Sequence, residues 1–485
     1  MAPPPQSWHF TSDIMKMNSA FTPALAAITQ EISYGSLPPD VKTVARQALM
    51  DWVGVALAGS NEDFVHSMAR VLSAQGGAAK CTTIGHALRL PSVSAALMNG
   101  LCSHALDYDD VHFAIPGHAS APVLAAALAV AEDIGSSGRE LLEAFVAGVE
   151  VSCRLGIAMA PTHYTMGFHA TATIGSFGAA AATAKLLKFN LEQIQSTFGV
   201  VATRAAGLKA VFGTSCKPLQ AGNAASAGVL SALLVQQGFD STKDVLDHRL
   251  GFPATHGGGN NLQYGLEAPR SVSDFSLSPE FSKEADAAFH LQLTLFKYHA
   301  TCYETHSAIE CALKARSRIG GRVDAIHSVS VEVNAHCDDI CNIQDPNNAF
   351  EAKFSLRAAV AFALLGIATG DPTQISEANL NAEVAKNLMA RVTVILCHDV
   401  PVPVARMRVE LIDGTSIVEE NDSSVPMTDL VAQQYKLDRK FFALVSPVIG
   451  TDRAKELHRQ IGNIDNSKNI TDMMTSLSLQ DRKET

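Results

Sequence analysis

The densest collection of ionisable side chains runs from His104 to His118, HALDYDDVHFAIPGH, with three histidines and three aspartates in fifteen residues. A histidine titrating near neutrality can take a proton and return it, and a neighbouring carboxylate can set its tautomer or share the acid role. A structural loop needs few such groups, so the cluster reads as a candidate acid/base centre. His104 and Asp107 stand three apart and are expected to share one helical face, with the other groups in the loop that follows. Three more stretches carry isolated candidates: His169 in MGFHATAT, Lys217 in GTSCKPLQ, and Lys297 in FKYHATCYETH, which also holds His299 and His306. A lysine in an apolar, glycine-bounded setting can hold an anion. Thr171 or Thr173 is the expected cap of the helix that follows His169.

Other chemistries find less support. Aspartate and histidine are metal ligands, but their spacing here matches no ligand signature, and no metal or cofactor is expected. There is no GxSxG elbow, no phosphate-binding P-loop and no strand-borne GxGxxG, which argues against a hydrolase triad, a nucleotide hydrolase and a dinucleotide enzyme. The nine cysteines are scattered singly, without a CxxC pair, as free thiols in a reducing compartment would be. Cys337 and Cys341, with His336, resemble half of a zinc set; the other half is missing from the neighbouring sequence, so they read as structural. A net charge of −11 with no run of Lys and Arg excludes a nucleic-acid surface, although a few local cations still suffice for a small anion.

These groups must be held by more than one core, because a chain of 485 residues exceeds the roughly 250 to 300 at which single cores stop growing. The composition, 47% hydrophobic but only 6% aromatic, predicts closely packed helices built from small residues. Helical spacing covers 44–57, 93–105, 122–131, 139–159, 171–187, 191–206 and 219–237. After His256-Gly-Gly-Gly-Asn-Asn the pattern changes: 326–333 alternates, 392–396 is β-branched, and Met407, Val409 and Leu411 run into Asp413-Gly414, a hairpin signal. Helices are expected there at 305–318 and 354–365, then again at 429–435 and 440–444, with a loosely ordered tail beyond Asp465. The predicted architecture is mainly α: a helical domain from 1–274, an α/β lid domain at 275–420, and a return to the helical domain at 421–485. No stretch of about 18 uncharged apolar residues is expected to span a membrane. Residues 1–20, with Asp13 and no Arg, do not read as a presequence, nor does the final Lys-Glu-Thr read as a peroxisomal address, so the expected location is cytoplasmic.

Taken in order, the clusters resemble the MmgE/PrpD family, which includes 2-methylcitrate dehydratase, cis-aconitate decarboxylase and iminodisuccinate epimerase. The matching segments are HALDYDDVHFAIPGHASAP, GFHATATIGSFGAAAATAKLL, FGTSCKPLQAGNAA, KYHATCYETHSAIE and EAKFSL, spread between Phe21 and Pro447. The resemblance implies a homodimer whose helical domain is formed from both chain ends, with a cofactor-free site beneath an inserted lid. It implies Asp107 and His118 as the catalytic pair and His169, Lys217 and Lys297 as substrate-binding residues, with His104 and His112 beside them. Two positions depart from the family pattern: Val111 stands where a hydroxyl residue is common, and His299 where many members have proline. The expected reaction is dehydration of a 2-methylcitrate-like or alkylcitrate polycarboxylate. Decarboxylation of cis-aconitate is the alternative, then epimerisation of the iminodisuccinate type, then a non-catalytic binding protein. All the reactions develop negative charge beside a carboxylate, where two lysines can stabilise it.

Overall fold

The computed structural model describes residues 20–257, 261–267, 269–272, 282–284 and 287–479. The readings made on residues 1–19, on Gly258 to Asn260, on most of the Ser-rich stretch and on the last three residues lie outside these. The fold is mainly α with a small α/β part. Helices span Phe21–Glu31, Pro39–Gly59, Asp63–Gln75, Ser92–His104, Ser120–Ile134, Gly138–Met159, Ala170–Leu186, Leu191–Ala202 and Cys216–Gln236. Reciprocal capping boxes start two of them, Ser137 with Glu140 and Asn190 with Gln193, satisfying amides that would otherwise lack partners. The helix after His169 begins without a side-chain cap, and Thr171 and Thr173 lie inside it. The capping expectation is therefore corrected: Thr173 Oγ1 bonds back to the His169 carbonyl at 3.2 Å, and Thr171 is used by the site.

The small side chains let helices touch backbone to backbone. A Cβ at Gly222 would come within 2.3 Å of the Leu97 carbonyl oxygen, and one at Gly100 within 2.8 Å of Gly222 Cα. This contact presses the Ser92–His104 helix onto the Cys216–Gln236 helix and sets Lys217 beside the loop that follows His104. Among the described residues the Cys216–Gln236 helix is long and apolar enough to cross a membrane by length and composition, and most of it is buried inside the body as a core helix is.

One core draws on both ends of the chain, from Phe21 to Phe296 and from Leu437 to Leu477. A second core lies within 302–417, where the His306–Arg318 and Leu356–Leu365 helices cover a four-stranded sheet. Its strand order is Val392–Cys397, Ile326–Asn334, Val404–Leu411, Ser416–Asp422; the first pair is parallel and the others antiparallel. Val329, Val331, Met407 and Val409 are buried, as the alternation predicted. The hairpin turns at Asp413-Gly414, with Gly414 at φ +84°.

Two expectations for the return segment are corrected. It is one continuous helix, Leu430–Ile449, with Pro447 in its last turn. Nor is the described part of the tail, to 479, loose: a helix at Thr471–Leu477 buries Met473, Met474 and Leu477, and the Gly85 amide donates to the Leu477 carbonyl at 2.9 Å. Its polar composition concealed an apolar face that only a partner reveals.

Candidate active site

The Ser92–His104 helix ends at His104, and the chain reverses through Asp107 at φ +52°, a left-handed conformation that aspartate tolerates better than most residues. Asp107 is thus off the helix, which corrects the shared-face expectation, and its carboxylate is turned toward two lysines. Lys217 Nζ donates to Asp107 Oδ1 at 2.7 Å; Lys297 Nζ donates to the Asp107 carbonyl at 2.6 Å and stands 3.4 Å from Oδ1. Burial by itself would raise this carboxyl. Lys217, then Lys297 and His118, outweigh it and hold Asp107 well below the usual carboxylate range.

His118 lies between two carboxylates, with Nε2 3.5 Å from Asp107 Oδ1 and Nδ1 3.1 Å from Asp109 Oδ2. Its amide donates to Thr171 Oγ1 at 3.1 Å, tying the loop to the Ala170–Leu186 helix. Burial lowers the His118 pKa against the opposing pull of Asp109. Asp109 is the hub of the histidines, because His104 Nδ1 also meets both its oxygens at 3.0 Å. Burial would raise Asp109, but His104 and His118 hold it well below the ordinary value. His169 is fixed by Gln220, whose Oε1 lies 3.1 Å from Nδ1, and burial keeps its imidazole strongly biased to the neutral form.

A cavity of about 790 Å³ opens over these groups, between the two cores. Asp107, His118, His169, Lys217 and Lys297 all line it. His104 and His112 do not. His104 stands behind His118, ring centroids 4.5 Å apart. His112 is engaged at both nitrogens, Nε2 with the His290 carbonyl at 2.8 Å and Nδ1 with the Ala114 amide at 3.1 Å, and burial lowers its pKa to about 4. Its place is structural. Val111 stands on the cavity wall, whereas His299 is turned away onto Thr369 and Glu310.

Sequence reasoning quoted Asp109 but gave it no role; its spacing five residues from His104 was the available signal. Gln220 and Thr171 gave none, since both serve through long-range contacts. Lys440 was missed entirely: from the return helix it donates to the carbonyls of Tyr108 at 2.7 Å and Lys297 at 2.9 Å, and pairs with Asp51 at 2.6 Å. It fixes the backbone on both sides of the Asp107 cluster.

Residues 23–265 match the MmgE/PrpD N-terminal domain and residues 299–466 the MmgE/PrpD C-terminal domain. The chain is 27% identical to the cis-aconitate decarboxylase-like protein oryM of Aspergillus oryzae, over 92% of this chain and 95% of that protein. It is 26% identical to human cis-aconitate decarboxylase, over 95% of each chain. To the cis-aconitate decarboxylase of Aspergillus terreus it is 25% identical, over 96% of this chain and 98% of the relative.

Proposed function

We propose, from the premise that this chain belongs to the MmgE/PrpD family, that it is a lyase releasing CO2 from a small unsaturated polycarboxylate of the cis-aconitate kind. Its relatives favour this alternative over the dehydration placed first on sequence grounds, and they do so along nearly the whole chain. The observation that carries the reading is the meeting of His118 and Asp107 with two ammonium groups on the wall of one cavity.

The chemistry follows from the charges. Substrate carboxylates compete with Asp107 for Lys217 and Lys297, and their negative charge favours the protonated form of His118 that burial alone disfavours. The carbon–carbon bond to one carboxylate breaks and CO2 departs. The electron pair passes through the adjacent double bond to a carbon beside a retained carboxylate, and that carbon takes a proton from His118. The lysines stabilise the charge as it develops, Asp109 steadies the imidazolium, and water returns the proton. No cofactor is needed in this scheme.

A second reading, action on an alkylated tricarboxylate, is favoured by the apolar part of the cavity lining. Besides the charged groups the cavity is lined by Tyr164, Phe212, Ile340, Ile343, Phe350 and Phe354, with the Phe212 and Phe354 rings 5.4 and 6.0 Å from the Lys217 ammonium. Such a wall suits a hydrocarbon tail, not a further carboxylate. The test is to incubate the purified chain, under chelator, with cis-aconitate, citrate, 2-methylcitrate and their longer alkyl homologues. CO2 from cis-aconitate is the expected result, and a preference for alkyl homologues would establish the second reading. Alkene formation from a citrate without CO2 would overturn decarboxylation in favour of a dehydratase. Silence throughout would leave an epimerase or a binding protein.

A further inference from the structure

One wall of the cavity contains a second cluster that the proposed reaction does not use. Cys337 and Cys341 lie four apart on a short helical turn and face the same side, both fully buried. Across from them, the turn that leads into the His306–Arg318 helix brings Cys302 and Glu304, each 8% exposed. Cys341 is within hydrogen-bonding reach of both Cys302 and Cys337. The ligand atoms of Glu304, Cys337 and Cys341 fall within 4.8 Å of one another. Glu304 is buried with its carboxylate within hydrogen-bonding reach of the Cys337 thiol and, among the described residues, of no other side chain that would neutralise it at close range. His336 Nε2 stands 3.9 Å from Oε1 of the same carboxylate. The missing second half of the zinc-like set noted in the sequence is therefore present, supplied from more than thirty residues upstream.

We propose that Cys302, Cys337, Cys341 and Glu304 form a binding site for a thiophilic divalent cation of the zinc class. A tetrahedral zinc site places sulfurs about 2.3 Å from the metal and hence about 3.8 Å from each other. Small side-chain rotations suffice for Glu304, Cys337 and Cys341, and Cys302, outside that tight group, joins by turning toward its neighbour Cys341. Each thiol releases its proton to water as it ligates, leaving three thiolates and a carboxylate around the ion. A contrasting buried group, His112, Cys153 and His290, lacks this capacity because both His112 nitrogens are already engaged. Cys302 and Glu304 themselves line the cavity, so an ion here fixes a stretch of wall next to Thr301, whose carbonyl faces the Lys297 ammonium at 3.5 Å, while ligating none of the groups assigned to proton transfer. The inference stands apart from the choice of reaction.

Cobalt(II) titrated into the reduced, metal-stripped full-length chain tests it. The expected result is a sulfur-to-cobalt charge-transfer band that saturates at a single ion per chain, is displaced by zinc, is abolished in Cys337→Ser/Cys341→Ser, and is unchanged in Cys397→Ser. Absence of the band, or its persistence in the double variant, overturns the proposal. Should the double variant fail to fold, zinc-edge X-ray absorption of the unaltered chain decides. A shell of three sulfurs and at least one oxygen supports the site, and a shell of nitrogen and oxygen alone refutes it.

Discussion

Two lysine–aspartate pairs of nearly equal length lie close together in this molecule and differ in almost everything else. Lys440 and Asp51 meet at 2.6 Å, with side chains 4% and 1% exposed, and the ammonium is completed by two backbone carbonyls. Burial pushes Lys440 down and Asp51 up against their mutual attraction. Lys217 and Asp107 meet at 2.7 Å on the cavity wall, and among the described residues the Lys217 ammonium makes one hydrogen bond. Burial would lower Lys217, but Asp107 raises it. The difference lies in what each cation has left to offer. A lysine whose donors are all taken holds backbone in place; one with donors to spare facing a cavity can receive an anion.

The largest effect should come from breaking the sealed pair. Lys440→Met leaves Asp51 buried without its partner and should cost about 3–5 kcal/mol, read as a fall in urea midpoint. Asp51→Asn combined with it should recover part of that loss, and a mild single effect would erase the distinction between the pairs. Next come Asp107→Asn and His118→Ala, each expected to lower turnover at least ~100-fold with native circular dichroism. Near-normal turnover of either purified variant removes that residue from the mechanism.

Third is acid sensitivity away from the cavity. His112 titrates near 4 in the fold, against about 6.5 when unfolded, so the unfolded chain binds the proton first as pH falls. Its contribution is fully present above about pH 6.5 and is lost as pH falls toward 4, the loss between pH 7 and pH 5 being about 2 kcal/mol. Urea midpoints at the two pH values should differ less in His112→Asn; an unchanged difference would mean that other groups carry the effect. Smallest is Lys217→Gln, expected to raise KM about tenfold, in keeping with the loss of a single charge-assisted hydrogen bond. An unchanged KM would show that Lys217 serves Asp107 and not the substrate.

Local patterns carried much of the fold into view. The helix from Gly138 to Met159 was legible from apolar spacing within a residue of its start, and the Asp413-Gly414 hairpin from turn chemistry. Asp107 shows where local reading fails, since helical spacing extrapolates past His104 and nothing nearby announces a left-handed residue. Lys440 and Cys302 show another limit: their partners lie hundreds of residues away in one case and dozens in the other, and without a fold those pairings are invisible. The candidate site was more readable than its supports, because the residues facing the cavity cluster in motifs while those behind them do not.

The return helix carries one more consequence. Lys440 grips the carbonyls of Tyr108 and Lys297, yet on the ribosome it emerges on the order of tens of seconds after the His104–His118 segment. A nascent chain halted before that helix would display the acid/base residues without the ammonium clamp that aligns them. A chain ending before Leu430 is therefore expected to lack turnover, because the clamp arrives only with that helix.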